Sequence, residues 1–139
     1  MHLFLNKPKY WLAICWLAGL TACTSDKLPP NDSPAFCDNL FPTYSQDVKT
    51  IIDESCAYSG CHDGAGGIGP FNYTDYKTLS DYLDTKMAVF RDRVFDQKED
   101  PVIGMPPDQS VYPESFKDDL TEQELEVLRC WLDSGYPEF

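Results

Sequence analysis

Two cysteines and a histidine within seven residues, Cys56-Ala57-Tyr58-Ser59-Gly60-Cys61-His62, constrain this chain more than any other feature. Three chemistries use such a triplet. The cysteines can close a local disulfide, with Tyr58 and Gly60 shaping a turn. With His62 they can contribute to a zinc site, which wants four ligands. Or the segment can be a lengthened form of C-x-x-C-H, the attachment motif of a covalently bound haem, with four residues in place of two between the thiols.

Haem attachment accounts for residues of these types standing together. Each thiol adds to one vinyl group on the edge of the macrocycle, giving two thioethers, and the adjoining imidazole coordinates the iron. The adjacency of Cys61 and His62 is the geometric core. The residues between the cysteines only bridge the two vinyls, so a bridge containing Ser59-Gly60 can bulge outward without moving either sulfur or the imidazole. Zinc is served less well. The chain has two histidines, and His2 lies in a segment read below as removed, so the remaining ligands would be thiols in a compartment that oxidises them.

That compartment is read from the front of the chain. Met1 to Lys9 carries Lys7 and Lys9 and no acid, Tyr10 to Leu20 is almost wholly apolar, and Leu20-Thr21-Ala22-Cys23 ends the run on small residues and a cysteine. This is the layout of a secretory signal, with an apolar run short of the ~20 residues a membrane-spanning helix needs. Its last four residues resemble a bacterial lipobox, which makes Cys23 the acylated N-terminus of the mature chain; several acyl chains anchor stably where one is marginal. The alternative is an ordinary signal cleaved nearby, with Cys23 left as a spare thiol. The expected organisation is a lipoprotein signal peptide over 1–22, the lipidated cysteine and a Pro-rich tether over 23–36, and a folded domain over 37–139. Cys15 is lost with the signal. The tether holds Lys27, Pro29-Pro30 and Asn31-Asp32-Ser33-Pro34, an extended composition that rises about 3 Å per residue where it adopts polyproline II.

Net charge is −12, and loss of Lys7 and Lys9 takes the mature chain to about −14. No basic cluster survives, which argues against nucleic acid or anionic lipid as a partner. The acid reads as a solvated surface, with a docking face for a basic partner as the alternative.

Helical spacing recurs along the folded part. Val48, Ile51 and Ile52 predict a helix over Tyr44 to Ser55, leading directly into Cys56. After His62, the run Asp63 to Pro70 has five glycines and prolines and supports no regular element. Phe71-Asn72-Tyr73 reads as extended, Thr74 as the cap of a helix through Leu79, and Ser80 to Phe95 as a longer helix with Leu83, Met87, Phe90 and Val94 on its core face. Thr121-Glu122-Gln123-Glu124 is a capping box opening a last helix with Leu125, Leu128 and Leu132 on one face, Trp131 beside it and Gly135 at its end. Arg91 and Arg93, the only arginines before that helix, are candidate donors to a carboxylate-bearing cofactor edge, or else surface arginines balancing local acid.

Gly104-Met105-Pro106-Pro107 is the second informative stretch. A residue before proline is driven toward extended backbone and each proline fixes its own φ, so the loop can hold the Met105 thioether stiffly. With His62 the only mature histidine, the sulfur candidates for a second iron ligand are Met87 and Met105. Met87 sits in an apolar helical stripe, where packing explains it. Met105 is therefore the expected distal ligand, consistent with methionine/histidine ligation in c-type cytochromes; a plain loop residue, with water on the iron, is the other reading.

In this order, the helix, C-x4-C-H, glycine loop, G-M-P-P and terminal L-T-x-x-E-x-x-x-L-x-x-W-L-x-x-G helix resemble the small monohaem cytochrome c domain over about Tyr44 to Tyr136. The likeness is closest to cytochrome-c-like domains of exported proteins and lipoproteins in Bacteroidetes and Planctomycetes. The resemblance implies an all-α fold of helices wrapped around one covalent haem c with long loops, the first and last helices crossing. It also implies assembly outside the cytoplasm, in agreement with the leader. Its functional residues map onto Cys56 and Cys61 for the thioethers, His62 as proximal and Met105 as distal iron ligand, with Arg91 and Arg93 as candidate propionate contacts. Cys37 precedes the first of the family's crossing helices and Cys130 lies in the last, so a disulfide between them is expected in an oxidising compartment, with two free thiols as the alternative.

The expected function is a lipid-anchored carrier, not an enzyme, passing single electrons between redox proteins at the periplasmic or outer face of a bacterial membrane. Two rivals stand beside it. A haem enzyme or ligand sensor would need an open sixth position on the iron. A haem-free lipoprotein binding module would be stapled by Cys56-Cys61 and Cys37-Cys130.

Overall fold

The computed structural model describes residues 34–66 and 69–139; the expected leader, Cys15, Cys23 and the tether as far as residue 33 lie outside the described residues. Among these the regular structure is all-α, as the patterning predicts. The helices are α1 (Lys49–Ser55), α2 (Tyr76–Arg91) and α3 (Glu122–Asp133), with a 3₁₀ turn at Ala35–Asn39 and wide π-type turns at Tyr44–Val48 and Asp92–Asp96. One isolated antiparallel bridge joins Asp63 to Asn72.

The helix expected from Tyr44 begins as the wide turn and tightens into α1 at Lys49. Val48, Ile51, Ile52 and Ser55 face inward. The division expected at Leu79–Ser80 is not there: the helix runs through it, with no glycine or proline at that point to interrupt it. Its break comes at Lys86 (φ −132°, ψ 19°). Thr74 is not the cap: Asp75 is, its Oδ1 accepting the Thr78 N–H at 2.9 Å. Thr74 instead donates its N–H and hydroxyl to Asn72 Oδ1, at 2.9 and 2.8 Å, which makes it part of the turn before the helix. Leu79, Leu83 and Phe90 of α2 are buried, as is Val94 in the following turn, while Met87 is partly covered.

α3 opens on the capping box. The Thr121 hydroxyl accepts the Glu124 N–H at 3.3 Å and the Glu124 carboxylate accepts the Thr121 N–H at 2.8 Å, satisfying two of the donors a helix start leaves unpaired. Leu125, Leu128 and Leu132 are buried, and Trp131 is wholly so, placing the indole in the core. Gly135 leaves the helix at φ +86°, a conformation glycine takes at no steric cost.

The two ends of the described chain close on each other. Cys37 and Cys130 are joined by a disulfide across 93 residues. The Pro137 carbonyl accepts from both the Tyr44 N–H at 2.9 Å and the Trp131 indole N–H at 3.0 Å, and the Glu138 carbonyl accepts from the Ser45 N–H and hydroxyl. Tyr44 and Trp131 rings lie 6.2 Å apart between these strands of contact. This closure leaves the end of α1, and with it Cys56, facing α2 and the loop that carries Met105.

Candidate functional site

α1 ends at Ser55 and its last carbonyls hold the next two residues: Cys56 and Ala57 both donate to the Ile52 carbonyl, at 2.9 and 2.8 Å. The bridge between the cysteines is a closed loop. Cys61 N–H donates to Tyr58 O at 3.0 Å and His62 N–H to Cys56 O at 3.0 Å, while Gly60 takes φ +93° at the outer turn. The added length is thus absorbed by a hydrogen-bonded bulge. Cys56, Tyr58, Cys61 and His62 are all buried.

Both cysteines are free thiols, whereas Cys37 and Cys130 are paired. Burial, and secondarily the neighbouring Cys61, pushes the Cys56 thiol up to about 12, so it stays protonated and unreactive toward solvent oxidants at neutral pH. Burial lowers the His62 pKa, opposed by its hydrogen bond to the Phe71 carbonyl. The ring is therefore neutral. Because a carbonyl can only accept, the 3.2 Å contact of Nδ1 with Phe71 O assigns the proton to Nδ1 and leaves the Nε2 lone pair free. A histidine held in this way is ready to act as a metal ligand.

Three segments complete the surroundings. Residues 69–73 run back along the motif, the Tyr73 N–H donating to His62 O at 2.9 Å. Gly69 lies against the imidazole so closely that a Cβ would stand 2.4 Å from Nδ1. From α2 and the turn after it come Tyr82, Val89, Phe90, Arg93 and Val94, and from the third segment Met105, Pro107 and Tyr112. Together with the motif these line one cavity of about 220 Å³, open to solvent on one side.

Met105 is set in place by its neighbours. Its N–H donates to Arg93 O at 3.1 Å, and Gly104 packs on the carbonyls of Gln97, Lys98 and Asp100, where a Cβ would come within 2.7 to 2.9 Å of oxygen. Arg93 lines the cavity and donates from Nη1 to Ile103 O at 3.0 Å. Arg91 is elsewhere. It does not line the cavity but pairs with Asp133 at 2.6 Å, tying the end of α2 to the end of α3, and so is not placed to contact a cofactor there. A polar network closes the motif's other side: Tyr58 OH donates to Ser115 Oγ at 3.0 Å and stacks on Phe116 at 4.4 Å.

The structure thus brings Cys56, Cys61, His62, Arg93 and Met105 to one cavity. Among the described residues no group of three or more His, Cys, Asp or Glu side chains is placed to hold a metal ion alone. Two free thiols, an imidazole with one nitrogen available, a thioether and a mostly apolar, aromatic lining fit a covalently held iron porphyrin, and the arginine suits its carboxylates. Tyr73, Tyr82 and Tyr112 were not singled out from the sequence. Two signals could have found the first pair: Phe71 and Tyr73 alternate with period two, and Tyr82, Val89 and Arg93 fall on one helical face beside the core stripe. Comparisons with protein-family models, with curated proteins and with solved structures gave no match.

Proposed function

We propose that this chain is an exported, lipid-anchored monohaem c-type cytochrome that carries single electrons between redox proteins at a bacterial membrane. The observation that carries the reading is the convergence of Cys56, Cys61, His62 and Met105, from two distant segments, on one apolar cavity. Cys56 and Cys61 would hold the haem by thioethers, each S–H adding across a vinyl double bond with no leaving group. His62 Nε2 and the Met105 sulfur would hold the iron, and Arg93 would meet a propionate. When bound, the haem supplies one reversible electron between ferric and ferrous iron.

The protein's own part is to bind, orient and exclude water. Burial keeps the Cys56 thiol protonated at neutral pH. The Phe71 carbonyl accepts from the His62 Nδ1–H, which leaves Nε2 without a proton. Tyr73, Phe90 and Val94 supply dry walls, and a methionine ligand raises the reduction potential by favouring the ferrous state. With His62 and Met105 both holding the iron, the group would exchange electrons rather than bind a substrate, which favours a carrier over an enzyme. Anchoring and export rest on the leader and on Cys23. An acidic surface suits a basic redox partner or simple solvation, and no nucleic acid is implied.

The test is an absorption spectrum and intact mass of the protein made in a periplasm with a working cytochrome c maturation system. Haem that survives acid extraction, with a low-spin spectrum showing the weak methionine-to-iron band, is the expected result. Protein without haem mass, or with haem that extracts, would sink the proposal.

A further inference from the structure

We propose that Tyr73 is the positioning residue for the His62 imidazole, its ring face fixing the plane of the histidine so that Nε2 points into the cavity before any cofactor arrives. This deepens the reading above and rests on it. The two rings lie 4.2 Å apart between centroids and 18° from parallel, a stacked pair within a buried environment. The histidine is bounded on two further sides. Phe71 O receives the Nδ1 proton at 3.2 Å, and Gly69 stands where even a methyl group would meet Nδ1, Cε1 and Cγ at 2.4 to 2.7 Å.

The hydrogen bond alone does not do this. The terminal torsion of a histidine is broad and roughly two-fold, so one acceptor at Nδ1 leaves the ring free to rock about the bond it makes, and a half-turn would exchange nitrogen for carbon at the carbonyl. A flat ring stacked on the imidazole, with the Gly69 backbone close over its Nδ1 side, hinders both motions. Tyr73 is itself immobile enough for the task. Its N–H donates to the His62 carbonyl at 2.9 Å, the Asp63–Asn72 bridge lies directly beside it, and its ring packs at 5.2 Å against Tyr82, which packs at 4.6 Å on Phe71. The same five-residue return, 69–73, therefore supplies the close backbone contact, the acceptor and the stacked ring. Ordering a ligand in advance lowers what binding must spend on ordering it later. In a ferric low-spin haem the plane of an axial imidazole also governs how unpaired spin is distributed over the macrocycle.

Two forms of the full chain test this. In the haem-free protein, made without the maturation system, ¹⁵N shifts of the His62 ring report its tautomer. The wild-type chain and Tyr73→Phe are expected to show the Nδ1–H form alone, and Tyr73→Leu to lose that single form and show both tautomers. Tyr76→Leu removes a ring that packs on Tyr44 and does not line the cavity, and is expected to keep the Nδ1–H form. In the haem-loaded protein, Tyr73→Leu should change the order of the haem-methyl resonances in ferric NMR spectra, and Tyr73→Phe should restore it. Mixed tautomers in the wild-type chain would overturn the proposal without any variant having to fold. So would an undisturbed Nδ1–H form in Tyr73→Leu, or equal disturbance by Tyr76→Leu. A chain that never acquires haem mass yet shows the expected tautomers would reject the cytochrome reading and leave the role of Tyr73 standing.

Discussion

Gly69 shows how much one hydrogen atom decides at this site. Ala in its place would put a methyl group 2.4 Å from His62 Nδ1, so either the ring or the 69–73 segment must move. Gly69→Ala is expected to destabilise the chain by about 1–3 kcal/mol, the usual cost of overpacking, measured by urea unfolding. It should also lose the Nδ1 hydrogen bond to Phe71. Met105 is the matching residue on the loop side. Met105→Ala is expected to abolish the methionine-to-iron band, turn the ferric spectrum high-spin and lower the reduction potential. An unchanged spectrum would show that Met105 was never a ligand. The motif residues and Met105 were legible as candidates because thiols, imidazole and thioether have few other reasons to occur in that pattern. Arg91 and Arg93 were not separable, since two residues apart on a helix they point to different neighbours, one to Asp133 and one to the cavity.

α3 is the element whose start carries most of its own information. Thr121→Ala removes the hydroxyl that accepts the Glu124 N–H and is expected to cost about 1 kcal/mol in chemical denaturation. The same cap gives a pH dependence. Burial pushes the Glu124 carboxyl up, but hydrogen bonds from Lys117 and Thr121 outweigh it, and the net pKa lies below the ordinary 4.5. A depressed carboxyl stabilises the fold above its unfolded value and loses that contribution as pH falls through the folded value. Stability should therefore drop below about pH 4.5, and Glu124→Gln should flatten that part of the acid profile. α2 was harder to place from sequence. Thr74 and Asp75 are both competent caps, and only the competing turn at Asn72, which engages Thr74 twice, hands the role to Asp75.

The described part of the molecule is held by closure of its two ends. Opening the Cys37–Cys130 bridge by Cys130→Ser releases a loop of 93 residues. In the chain-entropy account this costs about 4–5 kcal/mol, which thermal unfolding should register as a large fall in midpoint. Removing residues 137–139 takes away the acceptors for Tyr44, Ser45 and Trp131. At roughly 1 kcal/mol per hydrogen bond, the expected loss is about 2–4 kcal/mol, and a truncated chain as stable as the parent would show that the tail only rests on α1.

Local chemistry was enough to show the all-α class, the capping box, the C-x4-C-H group and the stiff G-M-P-P loop, because each is encoded in neighbours along the chain. The arrival of Met105 and His62 at one cavity, the separation of Arg91 from Arg93, the stacking of Tyr73 and the return of Pro137 to Tyr44 bring together residues that no short-range pattern relates. Those contacts exist only once α1, α2 and α3 bury their apolar faces together. Packing in three dimensions selects which of many competent side chains face the cavity, and that selection has no signature in a single sequence.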